Sequence, residues 1–207
     1  TGFEFQIEEW DYLDGVHGSE TVSWVAVSAG RHEVGGLTVE AGRTTARNER
    51  AETVTLAQEF TDNPIVFAQV ASDADSAAVT TRIRDVEFDS FQFQMQEEDA
   101  ADASHATEEI HWLAIEAGVG SFFEAAVTPK AVRHRDYDLG FDGSADPILL
   151  AGMQDRNGSD AAHTRISDLS STGATIYVGE EQSEDDELFH TSETVGYLIA
   201  TDGLIFA

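Results

Sequence analysis

The sequence predicts an all-β protein built of tandem antiparallel β-sandwich repeats. Short segments in which apolar and polar residues alternate, such as residues 3–7 and 91–95, are typical of strands with one buried face. No stretch shows a convincing helical period, and loops rich in turn residues separate the short apolar segments. A sequence block also recurs three times, which is typical of a repeat protein. These observations together favour antiparallel sheets packed in pairs.

The recurring block covers residues 9–24, 97–112 and 180–197. In each copy a glutamate closes an alternating segment and an acidic loop follows. A His-x-x-Glu motif then leads into an apolar run that ends in an aromatic residue. The first two copies align without a gap, and the third has two extra loop residues. The block therefore predicts one supersecondary unit that is used three times.

The strands are predicted in chain order from the alternation. The first segment contains strands at 3–7 and 22–27 and a hairpin around Gly35-Gly36. Further strands are predicted at 54–60, 64–70, 79–86, 91–95 and 110–115, and then at 147–154, 164–166, 174–178 and 198–207. Pro64 to Arg82 and Pro147 to Arg165 have the same spacing, which fixes the register of the two later units.

This register predicts four parts of the chain. Residues 1–50 form the second half of an incomplete repeat plus a linker, 51–118 a full repeat, 119–144 a connector, and 145–207 another full repeat. Half a sandwich leaves edge strands open, and open edges pair with other strands. We expect either a truncated upstream half, or self-association in which a neighbouring molecule completes the half repeat 1–44 by strand addition.

Composition restricts the function. The chain has 40 Asp+Glu against 11 Lys+Arg, a net charge of −29, and no cysteine. Such a surface repels phosphate backbones and anionic bilayers, so nucleic-acid and membrane-surface partners are not expected. Membrane insertion is not expected either, because no apolar run approaches the ~20 residues needed to span a bilayer. Dispersed acidity of this size indicates adaptation to high salt, attraction of divalent cations, or both. We expect a secreted or cell-surface protein.

Several short motifs resemble the H-type lectin domain. They are Pro64-Ile65-Val66, Thr81-Arg82-Ile83, Thr1-Gly2-Phe3 with Thr172-Gly173-Ala174, and residues 22–27 in the pattern [VI]-x-W-[VL]-A-[VI]. The resemblance implies a six-stranded antiparallel β-sandwich and binding of N-acetylgalactosamine-type sugars. The acidic tandem version also resembles repeats in large secreted surface proteins of marine and salt-loving microbes.

The resemblance implies only part of the family's sugar site. That site uses a Trp-His pair, a Tyr and an Arg; the tryptophan position falls on Trp10, and on Glu98 and Glu181 in the other copies. Asp11 occupies the adjoining histidine position, and His17 lies at or beside the tyrosine position. Trp10, Asp11 and His17 are therefore the candidate carbohydrate-binding residues.

A glutamate, a histidine and a second glutamate recur in every copy of the block, and they are the candidate metal ligands: Glu9, His17, Glu20, Glu97, His105, Glu108, Glu180, His190 and Glu193. Strand parity places both carboxylates at the neck of a hairpin, where they repel unless a cation or donor intervenes. Bound Ca²⁺, Zn²⁺, the histidine itself, or a strand arginine such as Arg82 or Arg165 would serve. The alternatives are a His–Glu hydrogen-bonded clasp that fixes the hairpin, or a ligand contact.

The function predicted from these features is that of a non-catalytic extracellular structural or assembly protein, such as a segment of a surface layer, fibre or adhesin. The alternative is a carbohydrate-binding module that attaches a larger secreted protein to glycans. An enzyme is not expected, because enzymes rarely carry one site three times in succession. If a cation is bound, Ca²⁺ is the expected cofactor.

Overall fold

The computed structural model describes residues 2–142 and 146–201, which contain fourteen β-strands and no helix. The strands are β1 Gly30–Val34, β2 Leu37–Ala46, β3 Glu52–Thr55, β4 Ile65–Val70, β5 Thr80–Arg84, β6 Ser90–Gln96, β7 Glu108–Ile115, β8 Gly118–Val119, β9 Phe123–Val127, β10 Tyr137–Gly140, β11 Pro147–Met153, β12 Ala162–Ser170, β13 Gly173–Glu180 and β14 Val195–Thr201. Every strand pair is antiparallel. The predicted all-β antiparallel class is confirmed. No segment of the described residues forms a helix that could cross a membrane.

The first unit, residues 30–116, contains two sheets. One has the strand order β1-β2-β7-β4 and the other β3-β6-β5. Inward-facing side chains of both sheets form one core, in which Phe91, Phe93, Met95 and Ile110 are fully buried. Successive residues of a strand point to opposite faces, so the period-two pattern of β6 places Phe91, Phe93 and Met95 on one face.

The second unit, residues 118–201, repeats this arrangement with strand orders β11-β14-β9-β8 and β10-β13-β12. Its core joins residues of both sheets, including Leu149, Ile176, Val178 and Val195. Strands β8–β14 thus correspond in order to β1–β7.

Most strands predicted for the two later units are present. Residues 64–70, 79–86, 91–95 and 110–115 contain β4, β5, β6 and β7, and the hairpin at Gly35-Gly36 joins β1 to β2. The predicted strand at 54–60 is shorter, since β3 ends at Thr55. The predicted last strand corresponds to β14, and residues 202–207 lie outside the described residues.

The sheets group the strands differently from the predicted repeat boundaries. Strands β1 and β2 lie within the predicted half repeat 1–50, yet β2 pairs with β7 along eight residues of the unit that follows. Strands β9 and β10 lie within 119–144, where we expected a connector, and β8 begins at Gly118, just before it. Strand β9 pairs with β14 and β10 with β13. The first unit ends at Glu116 and the second begins at Gly118.

Residues 2–29 contain no strand, so the strands predicted at 3–7 and 22–27 are not formed. The side chains of Phe3, Phe5 and Trp24 are 56%, 62% and 57% exposed. Their counterparts Phe91 and Phe93 in the first unit are completely buried. An alternating segment becomes a strand only where a neighbour accepts its backbone hydrogen bonds, and this segment has no first-half strands to pair with among the described residues.

The two four-stranded sheets pack against each other. A separate apolar cluster joins Val39, Ile65 and Ile115 of the first unit to Ala125 and Leu198 of the second. Because these side chains project from the faces opposite the two unit cores, the units are held side by side by a third core.

Candidate functional site

The recurring Glu–His–Glu set forms a buried cluster in the second unit. His190 lies between two carboxylates: its Nδ1 is 3.3 Å from Glu180 Oε1 and its Nε2 is 2.9 Å from Glu193 Oε1. All three side chains are nearly inaccessible to solvent. Glu180 ends β13, whereas His190 and Glu193 precede β14, so the histidine ties together the two ends of the acidic loop. We call this set the second clasp.

The first unit contains the same arrangement, called the first clasp. Nδ1 of His105 is 3.1 Å from Glu97 Oε1, and Nε2 is 3.2 Å from Glu108 Oε1. These groups too are buried. The shorter acidic loop of this copy therefore closes with the same bonds as the longer one.

Each clasp holds two protons between its histidine and its carboxyl groups. Both ring nitrogens are within hydrogen-bonding distance of a carboxyl oxygen, and each such bond requires one proton. Either the ring is an imidazolium between two carboxylates, or a neutral ring is bonded to one carboxylate and one carboxylic acid. In both cases the three side chains together carry one negative charge.

The two carboxyl groups of the second clasp have different surroundings, which shift their pKa values in opposite directions. Burial raises the pKa of Glu180 to about 7, opposed by its bond to His190. Burial acts in the same direction on Glu193, but hydrogen bonds from His190 and from the backbone of Asn157 and Gly158 lower its pKa to about 2. Glu193 is thus the charged member of the pair, and Glu180 binds a proton more tightly than an ordinary glutamate.

Backbone amides surround the charged carboxylate in both units. Asn157 N and Gly158 N donate to Glu193, at 2.9 Å and 3.0 Å. In the first unit Ala74 N and Asp75 N donate to Glu108 Oε1. Donation of several N–H groups to one carboxylate stabilises its ionised form, so the loop after β4 or β11 is fixed to the segment before β7 or β14.

Position 158, next to the ring of His190, requires a glycine. A Cβ atom at this position would lie 2.5 Å from Cε1 of the His190 ring, well inside van der Waals contact. A side chain here would push the imidazole away from its two carboxyl partners.

An arginine of the first unit completes the second clasp. Arg82, on β5, is fully buried, and its Nη2 donates to Glu193 Oε1 at 3.0 Å. Its Nη1 donates to the carbonyl of Asp160 at 2.6 Å and to Gln96 Oε1 at 3.3 Å. The guanidinium offsets the negative charge of Glu193, to which the Asp155 carboxyl is also hydrogen-bonded. A strand arginine near the carboxylates was one of our expectations; its origin in the neighbouring unit was not.

Further polar contacts follow the same joint between the units. Gln96 Nε2 donates to the carbonyl of Ser159 at 2.6 Å, and Asp99 N donates to Glu181 Oε2 at 2.7 Å. Burial beside Glu181 raises the pKa of Asp99 to about 6.

Another polar contact between the units lies beside the apolar cluster of Val39, Ile65, Ile115, Ala125 and Leu198, which we call the shared apolar cluster. The side-chain amide of Gln154 donates to Val66 O and accepts from Val66 N, both at 2.8 Å. Gln154 thereby continues the hydrogen bonding of β4 across the boundary between the units.

The first copy of the block does not form a clasp in the structure. His17 Nδ1 lies 2.9 Å from the carbonyl of its neighbour Gly18, and Glu20 is exposed. Glu9 has one buried carboxylate oxygen without a hydrogen-bond partner. The described contacts therefore bring together two of the three predicted sets.

The candidate sugar-binding residues are not gathered around one site. The ring of Trp10 packs on His163 of the second unit, with centroids 6.2 Å apart. Asp11 and His17 take no part in this ring contact, and Asp11 is exposed. The aromatic face next to Trp10 is made by a histidine that the sequence comparison did not single out.

Among the described residues, no group of three or more His, Asp or Glu side chains has the arrangement of a metal site. Glu108 and Glu193 are bonded to histidine and to backbone donors, and Glu193 also to arginine, whereas Glu97 and Glu180 are bonded to histidine through Oε1 and each have a buried Oε2 without a hydrogen-bond partner. The Ca²⁺ and Zn²⁺ interpretations therefore remain predictions, whereas hydrogen bonds between His and Glu are observed in residues 97–108 and 180–193. The predicted hairpin is wrong: each clasp connects a strand of the three-stranded sheet to a strand of the four-stranded sheet.

Sequence reasoning missed Gln154, Asp99 and Glu181. A polar side chain at the boundary between units carries no local periodicity, so one copy of a sequence gives no signal for it. The available signal was the pair Arg82 and Arg165, each in the repeated strand motif Thr-Arg-Ile.

No protein-family model matches the chain. No solved structure matches it either. Among curated proteins, Halomucin of Haloquadratum walsbyi (strain DSM 16790 / HBSQ001) is 30% identical over 207 residues, an alignment that covers 96% of this chain. The chain spans about 2% of the length of that relative. This chain is thus similar, over nearly its whole length, to a small part of a very large protein.

Proposed function

We propose that this chain is a non-catalytic segment of a large extracellular surface protein, built of repeated β units that assemble through their clasps. The observation that carries the proposal is the joint between units, in which Arg82 of one unit completes the buried Glu–His–Glu set of the next. A buried ion pair between units fixes their relative orientation. Such a joint suits a stacked array better than a site for turnover.

The similarity to Halomucin supports this proposal. The name of that relative denotes a mucin of a salt environment, and its length exceeds that of this chain about fifty-fold, since the chain covers 2% of it. A large surface protein of this kind is exposed to salt and to the medium, which fits a chain without cysteine and with net charge −29. A secreted or cell-surface location belongs to the same proposal.

The fold within each unit is proposed to be an H-type-lectin-like β-sandwich. A four-stranded and a three-stranded antiparallel sheet contribute to one apolar core in each unit, as a sandwich requires. The motifs Pro64-Ile65-Val66 and Thr81-Arg82-Ile83 lie on β4 and β5, one in each sheet.

Self-association through residues 1–44 is the assembly step that we propose. Residues 2–29 expose Phe3, Phe5, Ile7 and Trp24, whose counterparts in the two folded units line cores. Exposed apolar residues grouped in this way mark an association surface. Sedimentation velocity in 2 M KCl tests the step. The full chain should form larger species as its concentration rises, whereas a variant lacking residues 2–29 should stay monomeric. A full chain that remains monomeric at every salt and protein concentration contradicts the proposal.

The second candidate function is carbohydrate binding by the face formed by Trp10 and His163. An aromatic ring with one open side is a usual platform for sugars, and Trp10 is only partly buried. A glycan array with the full chain, compared with the Trp10→Ala variant, separates this function from assembly. Binding lost on substitution supports the module; absence of binding at low and high salt removes it.

A further inference from the structure

Arg82 and Arg165 occupy the same position in the two units but differ in their surroundings. Arg82 is completely buried against Glu193 of the second unit. Arg165 is exposed on β12, and no ion pair between described residues reaches it. Arg165 therefore lacks the acidic partner that Arg82 has in Glu193.

A glutamate that could pair with Arg165 lies in residues 2–29. Aligning the three copies of the block places Glu20 at the position of Glu108 and Glu193. Glu20 is exposed, whereas both counterparts are buried and bonded. One glutamate and one arginine of the repeated joint are therefore both unengaged in the same chain.

Residues 2–29 already touch the two units at the positions that the joint requires. Asp99 N of the first unit donates to Glu181 Oε2 of the second. The counterpart of Glu181 in the first unit is Glu98, whose carboxylate accepts a backbone hydrogen bond from Asp11, the counterpart of Asp99. The next residue, Tyr12, also donates its backbone N–H to Glu98 Oε2, at 3.3 Å. On the other side, Trp10 packs on His163, two residues from Arg165 on β12. The segment therefore lies between the first unit and the arginine-bearing strand of the second.

Equivalent residues from the three copies of the block also meet at the shared apolar cluster. Leu198 of the second unit belongs to it, and Leu113 of the first unit and Val25 both pack against it. These three residues are equivalent in the alignment of the block. One side chain from each copy thus meets at a common apolar centre, which is expected if three copies are arranged around it.

We propose that the second unit carries a docking site for another copy of this unit, in which Arg165 binds the carboxylate of Glu20 as Arg82 binds Glu193. Residues 2–29 supply the second half of that copy, and strands equivalent to β1–β5 supply its first half. Arg165 is the cation that balances the clasp Glu9, His17 and Glu20, which closes once those strands are present. The inference rests on the proposed assembly of repeated units and names the residues that make the contact.

Charge favours this occupant over an unrelated protein. A clasp carries one negative charge, and the guanidinium at the end of the second unit provides the matching positive charge. The exposed faces of Phe3, Phe5 and Ile7 need an apolar cover of the kind that the sheet β1-β2-β7-β4 gives to β6. Another copy of this unit supplies both features in the register already seen between the two units.

The test uses a chain extended by a duplicate of its own residues 30–88 placed directly before Thr1, which completes the third unit. Arg165→Gln, Glu20→Gln and the double variant are made in both the extended and the 207-residue chain. In the extended chain each single substitution should lower the melting temperature by about 5 °C or more, because it leaves a buried charge unpaired. The double variant should lose no more than the larger single loss, and the exchange Arg165→Glu with Glu20→Arg should recover part of it.

In the 207-residue chain Arg165→Gln should change the melting temperature by less than about 2 °C, since the side chain is exposed. Equal losses in both chains, or additive losses in the extended chain, would overturn the pairing. It is overturned as well if tryptophan fluorescence shows that Trp24 stays exposed in the extended chain. Sedimentation of the 207-residue chain reports separately on self-association, so a failure of the proposed function is distinguishable from a failure of this contact.

Discussion

Glu193 is the residue on which the joint between the units depends. It receives bonds from Arg82, His190 and the backbone of Asn157 and Gly158. Replacing Glu193 by Ala leaves a buried guanidinium without its counter-charge, so we expect the free energy of unfolding to fall by about 3–5 kcal/mol. Urea denaturation followed by circular dichroism measures the change.

The matched control for this substitution is Glu187→Ala, on the exposed part of the same acidic loop. Its effect should stay within about 0.5 kcal/mol. A loss at Glu193 no larger than that at Glu187 would show that the buried pair contributes nothing to stability.

The clasp also predicts a pH dependence with a definite sign. Burial raises the pKa of Glu180 to about 7, above its ordinary value, so the folded state binds this proton more tightly than the unfolded state. The stability it contributes is present at low pH and is lost as the pH rises from about 4.5 to 7. Glu193, whose pKa is lowered to about 2, acts in the opposite sense and loses its contribution only as the pH falls below about 4.5.

We therefore expect Glu180→Gln, which cannot ionise, to gain stability relative to the native chain between pH 5 and pH 8, by about 2 kcal/mol. The difference between the two melting curves at each pH isolates Glu180 from Asp99, whose pKa is also raised and which titrates in the same interval. A difference that does not change with pH would mean that Glu180 is ionised throughout.

At the scale of elements, Gln154 joins β4 of the first unit to the segment after β11 of the second. It replaces a strand partner for Val66 by making both backbone hydrogen bonds. Gln154→Ala removes both and leaves two buried backbone groups unpaired, which costs about 2–4 kcal/mol. We expect calorimetry to show the single unfolding transition of the native chain separating into two.

Gln58→Ala is the control for that substitution, because the Gln58 side chain is exposed. If the calorimetric trace of Gln154→Ala stays single and unshifted, the units are coupled by the apolar cluster alone.

The elements that could be predicted are those whose pattern is local. The strands β4–β7 follow from alternation in residues 64–115, since one buried face imposes a period of two. Strands β8 to β10 were missed because they are short and contain Gly118 and Gly140, and a stretch of this kind resembles a loop until its pairing partners are known. The opposite error occurred at residues 3–7, where a clear alternation forms no strand for lack of a partner.

The same distinction applies to the candidate site. The repeated glutamates and histidines could be found from sequence because recurrence at fixed spacing is visible. The hairpin inferred from strand parity was wrong, because β6 and β7 lie in different sheets, as do β13 and β14. That Arg82 comes from the neighbouring unit could not be found, because a contact between residues 111 positions apart depends on how the units pack. Trp10 shows the same limit, since its partner His163 lies on another unit.

The whole molecule is strongly acidic, and its stability should depend on salt. A net charge of −29 on 207 residues produces repulsion between carboxylates that is strongest in the folded state. The Debye length falls from about 10 Å at 0.1 M salt to about 3 Å at 1 M. We expect the melting temperature to rise on the order of 5–10 °C between 0.1 M and 2 M KCl.

A chelator separates this screening from a specific Ca²⁺ site. In 2 M KCl the melting temperature should be the same with and without EDTA, because the buried clasp carboxylates already have hydrogen-bond partners. A marked fall on chelation, recovered by Ca²⁺ but not by more KCl, would instead support the cation site predicted from the sequence.

The two clasps close acidic loops of different length, and this has a consequence for how such a protein diversifies. The loop between Glu180 and His190 is two residues longer than that between Glu97 and His105, and the added residues lie in an exposed stretch that includes Leu188 and Phe189. Both ends of each loop are pinned by the same buried histidine, so inserted sequence does not reach the strands. The tip of this loop is therefore a permissive insertion site, at which a foreign peptide or a receptor-binding epitope could be displayed without altering the units that carry it.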